Sequence, residues 1–420
     1  MTEQTFVIVG ASLAGAKAAE TLRDEGFTGR VVLIGEETEP PYERPPLSKG
    51  YLLGADAREK AYLHEPQWYL ENNIEWRAGT VAVGLDLAAK TVTVHPADTI
   101  DYDKLLLATG SRVRTLTAPG SDLQRVHYLR TLDQSDALLA GFKNGAQVVV
   151  IGAGWIGLET AAAARQHGCA VTVMEMDSLP LRRVLGDEVA TVYRDLHAAH
   201  GVDFRFGGGV QEIVASEDGS GTVSGVRMTD GWEVAADLVI VGVGIAPNVE
   251  LAEAAGLEVD NGVVTDALLR TSDPSVYACG DVASSFNPLL GSRLRVEHWA
   301  NALNGGPAAA RSMLGRTEEY APVPYFFSDQ YDLGMEYTGW VSPGDYDQVV
   351  FRGDPTVVPG AAPEFLAFWV RGGAVLAGMN ANVWDVTESI ASLVKAGLGG
   401  RTVDVQALAD PEIPLDELLG

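Results

Sequence analysis

The chain has 420 residues, 46% hydrophobic and 21% charged, which excludes disordered and fibrous classes and leaves room for roughly two to four domains with sizeable cores. Its formal net charge of -27 excludes nucleic acid and anionic membranes as partners. The two cysteines, Cys169 and Cys279, supply neither a disulfide framework nor a thiolate zinc site, and no metal site is expected. The opening residues lack a basic stretch followed by an apolar one, and no uncharged apolar run approaches the ~18 residues of a membrane span, so a cytoplasmic location is expected.

In chain order, Thr5-Phe-Val-Ile-Val9 reads as a buried strand entering Gly10-Ala-Ser-Leu-Ala-Gly15. A helical pattern follows over 16–25, then a second strand, Val31-Val-Leu-Ile34, which ends near Glu36. A strand, a glycine turn, a helix and a second strand closed by an acid is what a dinucleotide needs. Gly10 and Gly15 let backbone approach a pyrophosphate at a helix N-terminus, with Ser12, Leu13 and Ala14 between them, and Glu36 accepts from ribose hydroxyls. Ser12 replaces the middle glycine; its hydroxyl can donate to phosphate, although its Cβ narrows the approach.

The pattern returns at Gln147-Val-Val-Val-Ile151, which enters Gly152-Ala-Gly154-Trp155-Ile156-Gly157, a complete GxGxxG. A helical run and Val171-Thr-Val-Met-Glu175 follow. Glu175 favours the free 2′-hydroxyl of NADH over the 2′-phosphate of NADPH, although Arg182 and Arg183 would soften that repulsion. Leu105-Leu-Leu-Ala108-Thr109-Gly110 and Leu238-Val-Ile-Val-Gly242-Val-Gly244 look like matching strand-to-turn passages. They predict that the second fold is inserted in the first. The expected class is α/β: two Rossmann-type dinucleotide-binding domains, one inserted in the other, plus a smaller α+β C-terminal domain. The expected bounds are 1–110 with 242–322 for the first dinucleotide fold, 111–241 for the inserted one, and 323–420 for the closing domain, where aromatic and alternating stretches such as Phe365-Leu-Ala-Phe-Trp-Val370 begin.

Ala108-Thr-Gly110, the Gly152 turn and Tyr277-Ala-Cys-Gly-Asp281 resemble the pyridine nucleotide–disulfide oxidoreductase fold. Within it, Pro41-Tyr-Glu-Arg-Pro-Pro-Leu-Ser-Lys49, His298-Trp-Ala-Asn-Ala302 and Ser328-Asp-Gln-Tyr331 resemble the FAD-dependent ferredoxin reductases that serve bacterial cytochrome P450 and aromatic-ring dioxygenase systems. The resemblance spans essentially the whole chain and implies FAD on the first fold and NADH on the inserted one. It implies that Arg44, Lys49, Ala108, Thr109, Gly110 and Arg130 serve the FAD, together with Gly280, Asp281, Val282, Glu297, His298 and Trp299. Asp281 would bond the ribityl chain and Trp299 would lie by the isoalloxazine. Gly242 and Gly244 join the NADH set, with Glu159 beside the nicotinamide.

Lys49, Glu159 and Trp299 are the catalytic candidates. A cation near the flavin stabilises its reduced, anionic form, and Glu159 could hold Lys49 there; the protein's share of hydride transfer is stacking, orientation and electrostatics. The closely spaced cysteine pair of disulfide reductases is absent, so electrons must leave the flavin directly. That points to a [2Fe–2S] ferredoxin partner feeding an oxygenase, with Arg293, Arg295 and Arg311 as candidate docking cations in an acidic chain. The rival readings are a reductase of quinone, monodehydroascorbate or rubredoxin, and, in another class, a redox-responsive interaction protein like apoptosis-inducing factor.

Overall fold

A computed structural model of the chain describes residues 4–96 and 98–419. Residues 1–3, 97 and 420, which fall in the expected 1–110 and 323–420 segments, lie outside the described residues. The chain divides into two compact units: 1–44, 58–112 and 246–324 form one, and 45–57, 113–245 and 325–420 form the other.

In the first unit, five parallel strands line up as Val276–Ala278, Lys104–Leu107, Thr5–Val9, Arg30–Ile34 and Ile74–Arg77. Strand side chains alternate across a sheet. Phe6, Ile8, Leu33 and Leu106 therefore enter one core beneath the helices Leu13–Asp24 and Trp299–Met313. Val7, Val9, Val32, Leu105 and Leu107 enter a second core, shared with Val92, Val94 and Ile100. Both faces are covered, which is why these strands read as unbroken apolar runs rather than alternating ones.

The second unit repeats the scheme in the order Val202–Phe206, Ala170–Glu175, Gln147–Ile151, Leu238–Val241 and Val126–His127, again all parallel. Its closing segment is a five-stranded antiparallel sheet ordered Tyr325–Gln330, Leu333–Gly339, Ala374–Ala381, Glu364–Arg371 and Gln348–Asp354. Phe365 through Val370 are all buried, because this sheet too is covered twice. Ile390 of helix Thr387–Leu398 and Phe368 of the neighbouring strand both pack against Gly378. On another side Trp369 Nε1 donates to Leu185 O, in helix Arg182–Ala199, at 3.2 Å. The α/β class, the two Rossmann-type sheets and the smaller α+β closing segment expected from the sequence are observed. Among the described residues no helix is long and apolar enough to cross a membrane.

Candidate functional site

In the first unit, strand Thr5–Val9 hands the chain to Gly10, whose φ of 117° few residues other than glycine adopt. A Cβ there would sit 2.0 Å from Ala108 O, and one at Gly15 would sit 1.9 Å from Gly10 O. These glycines seat helix Leu13–Asp24 against the strand ends. Ser12 is the residue before the helix and its hydroxyl caps nothing, so it stays available to an anion at the helix N-terminus. Gly280, φ 72°, places the turn bearing Asp281 within 3.1 Å of the Ala14 methyl, measured from the Cβ it lacks. Thr109 Oγ1 donates to Asn248 O at 2.8 Å, Asn248 Nδ2 returns a 2.8 Å bond to Thr109 O, and Asn248 N bonds Gly110 O at 3.0 Å. The donor set, the absent Cβ atoms and the uncommitted serine fit a dinucleotide.

Glu36 is exposed just past strand Arg30–Ile34. Arg44 bonds Glu37 Oε1 at 2.8 Å and Tyr42 Oη at 3.1 Å in the same unit. Burial drops the His298 imidazole to about 4 against the opposing pull of Asp281, so His298 is neutral near pH 7. Trp299 begins helix Trp299–Met313, and Val282 is fully buried beside Asp281.

In the second unit Gly152 has φ 100°, and a Cβ on it would meet Gly242 O at 2.4 Å. A Cβ on Gly157 would meet Gly152 O at 2.0 Å, whereas one on Gly154 would meet nothing within 4 Å. The two outer glycines therefore shape the turn, and the middle one leaves open space at the start of helix Trp155–Gln166, which fits a pyrophosphate. Trp155 packs edge-on against Tyr193 and Phe326, Ile156 is partly exposed, and Gly244 has φ 97°. Glu175 Oε2 accepts from Ala153 N at 2.7 Å and Oε1 from Asp177 N at 3.0 Å, which fixes the acid on the turn.

The same unit holds a buried carboxylate. The Pro45–Ser48 turn and Lys49 lie against helix Trp155–Gln166, where Glu159 is 3% exposed. Lys49 Nζ sits 2.8 Å from Glu159 Oε2, which Ser48 also bonds, and lies over the Phe327 ring. Ser328 Oγ donates to the other oxygen, Oε1, at 2.7 Å. Gln330 Nε2 donates to Ser328 Oγ at 3.0 Å, and His197 Nε2 lies 2.7 Å from Gln330 Oε1. Burial lowers His197 to about 4 although the Gln330 bond opposes it, so its neutral ring donates to Gln330 and accepts from Tyr331 at 3.3 Å. Every hydrogen bond in this chain thus points toward Glu159.

Of the sequence candidates, the structure gathers the Gly10 turn, Glu36, Arg44, Ala108, Thr109, Gly110 and residues 280–282 and 297–299 in the first unit. The Gly152 turn, Glu175, Gly242 and Gly244 fall in the second, with Lys49, Glu159 and Arg130, which lies just ahead of the capping box Thr131–Gln134. Sequence reading gave no role to Asn248, Ser48, Ser328 or His197; Ser48 and Ser328 lie inside the motifs that carry the resemblance, but nothing in those motifs points to Glu159 as their partner. Arg293 Nη1 is committed to Thr265 O at 2.6 Å and Ser284 O at 2.5 Å, and Arg295 is paired with Glu297. Arg311 is exposed and bonds Glu25 at 2.9 Å. Burial pushes the Cys279 thiol up to about 12 and raises Cys169, so neither offers a ready thiolate.

The family described as pyridine nucleotide-disulphide oxidoreductase matches residues 4–306, and the one described as reductase C-terminal matches 325–419. The chain is 40% identical over 420 residues, all of both chains, to the anthranilate 1,2-dioxygenase system ferredoxin–NAD(+) reductase component of Burkholderia cepacia. It is 39% identical over 345 residues, 82% of this chain and 88% of the other, to the rubredoxin–NAD(+) reductase of Pseudomonas putida. The reductase in the crystal structure of a covalent putidaredoxin reductase–putidaredoxin complex superposes with a TM-score of 0.92 at 35% identity, covering 99% of this chain and 98% of that one.

Proposed function

The chain belongs to the pyridine nucleotide–disulphide oxidoreductase family, and from that premise we propose that it is a cytoplasmic NADH:ferredoxin reductase, an FAD flavoprotein passing single electrons to a [2Fe–2S] ferredoxin that feeds an oxygenase. The observation that carries the reading is the pair of glycine-turn parallel sheets in one chain whose two cysteines are buried and held as thiols. FAD, when bound, supplies the conversion of a two-electron donor into single-electron output.

The chain's own part is to bind and orient. In the first unit Gly10 and Gly15 clear the approach to helix Leu13–Asp24, Ser12 offers a hydroxyl, and Glu36 and Asp281 supply carboxylates for hydroxyl groups. Asn248 holds the Thr109–Gly110 passage in place. In the second unit the Gly154 gap receives the coenzyme's pyrophosphate and Glu175 its ribose. Lys49, fixed by Glu159, is the proposed cation that favours the reduced flavin, and Trp299 is the proposed aromatic partner of its ring. The proposed division follows the expected 1–110 with 242–322, 111–241 and 323–420.

The test is NADH-driven cytochrome c reduction by the purified yellow protein with and without a [2Fe–2S] ferredoxin. Strong dependence on ferredoxin, with little activity from NADPH, supports the reading. Turnover that depends on rubredoxin instead moves the assignment to the acceptor named for the Pseudomonas putida relative. Absence of bound flavin overturns it.

A further inference from the structure

Beyond Glu175 the second unit opens a cavity of about 430 Å³ between the start of helix Arg182–Ala199 and the turn at Tyr346. Its charged lining is Asp177, Arg182, Arg183, Asp187 and Glu188. A guanidinium near the strand-end acid is the ordinary receptor of a 2′-phosphate. Here both guanidiniums already face a carboxylate, Arg182 through two nitrogens and Arg183 through its Nε. Arg183 Nε donates to Asp177 Oδ2 at 2.6 Å, and Asp177 is tied by its own N–H to Glu175 Oε1. Arg182 forks onto Asp187, Nε to Oδ1 at 2.5 Å and Nη2 to Oδ2 at 3.2 Å. That fork occupies the two-donor edge that would grip a phosphate. Three carboxylates against two guanidiniums leave the lining with a formal charge of -1.

We infer that Asp177 and Asp187 are specificity-determining residues: by holding Arg183 and Arg182 they deny the 2′-phosphate of NADPH a cation and keep this site on NADH. The inference rests on reading the Gly152 turn as the coenzyme site and deepens it. A single acid at the strand end repels a phosphate, but two free arginines beside it would offset that repulsion. The two aspartates remove the offset. Changing both to asparagine keeps their size and turns the lining from -1 to +1.

The experiment is calorimetric titration of the flavin-loaded protein with ADP-ribose and with 2′-phospho-ADP-ribose, which bind without hydride transfer. It is run on the wild type, on Asp177→Asn/Asp187→Asn, and on that variant with Arg182→Gln and Arg183→Gln added. The asparagine pair should improve binding of the 2′-phosphorylated ligand relative to ADP-ribose by about tenfold or more, and the gain should vanish with the arginines. An unchanged ratio in the asparagine pair, or a gain that persists without the arginines, overturns the inference while ADP-ribose binding keeps the coenzyme site. Failure of the wild type to bind ADP-ribose overturns the site itself, and the inference with it.

Discussion

Ser328 donates to one oxygen of the Glu159 carboxylate while Lys49 takes the other, so two motifs nearly 300 residues apart in sequence close on a single buried acid. Glu159 is 3% exposed and Lys49 15%, so neither charge is left to water. A buried ion pair is weak evidence for stability, but breaking one is costly, because the orphaned partner keeps its desolvation penalty.

Glu159→Gln, nearly the same shape without the charge, should therefore destabilise the protein by roughly 3 kcal/mol in urea unfolding. Adding Lys49→Met to that variant should recover part of the loss, since the orphaned ammonium goes with it. NADH-driven flavin reduction should slow in both variants. A loss below about 1 kcal/mol for Glu159→Gln would show that the pair is not under strain from burial.

Gly157→Ala and Gly154→Ala separate folding from binding within one turn. The first drives a Cβ to 2.0 Å from Gly152 O and should cost several-fold more stability than ordinary surface changes, with loss of coenzyme binding. The second meets no protein atom within 4 Å, so its melting temperature should match the parent while its KM for NADH rises. Equal melting losses in the two variants would contradict this.

Two buried histidines should make the protein acid-sensitive before its carboxylates titrate. His197 and His298 are held near 4 by burial, below the ~6.5 of an exposed imidazole. The unfolded chain therefore binds the proton first as pH falls through about 6.5, and stability is lost progressively down to about 4. Each should remove about 2 kcal/mol between pH 7 and pH 5. Urea midpoints at the two pH values measure it, and His197→Gln should flatten the slope by one histidine's share. A slope unaltered by that change would sink the assignment.

Arg311 and Arg293 should part company when tested. Arg311→Glu alters an exposed cation paired to Glu25, and should raise the KM for ferredoxin while ferricyanide reduction is unchanged. Arg293→Gln removes bonds to two backbone carbonyls and should lower stability by about 1–3 kcal/mol without distinguishing the acceptors. Equal effects of Arg311→Glu on both acceptors would remove it from docking.

The two parallel sheets were legible because their signals are local: a buried strand, a glycine at a fixed offset and an acid at the next strand end all lie within about 30 residues. Gly10 and Gly152 announce themselves because no other residue adopts their φ without strain. The hydrogen bonds that steady Glu159 were not legible. Ser328 is 169 residues from Glu159 and His197 is 133 from Gln330, so only the fold brings them together. Asn248 is a similar case, reaching Thr109 across 139 residues from a stretch that reads as a plain turn. The three candidate arginines look alike in sequence, because charge alone does not reveal which guanidinium is spent on backbone carbonyls.

The strand Val276–Ala278 pairs with Lys104–Leu107, and Lys104 Nζ reaches Pro274 O, 170 residues further along. As the chain leaves the ribosome, Leu105, Leu106 and Leu107 therefore wait as an open β-edge until the whole of the inserted fold has been made. For that interval the first sheet lacks an outer strand and offers unpaired backbone to any neighbouring nascent chain. Expression at high rate should thus be limited by association through this edge rather than by the final stability of either unit. Slower synthesis or lower temperature, which give the returning strand time to arrive, should raise the soluble yield.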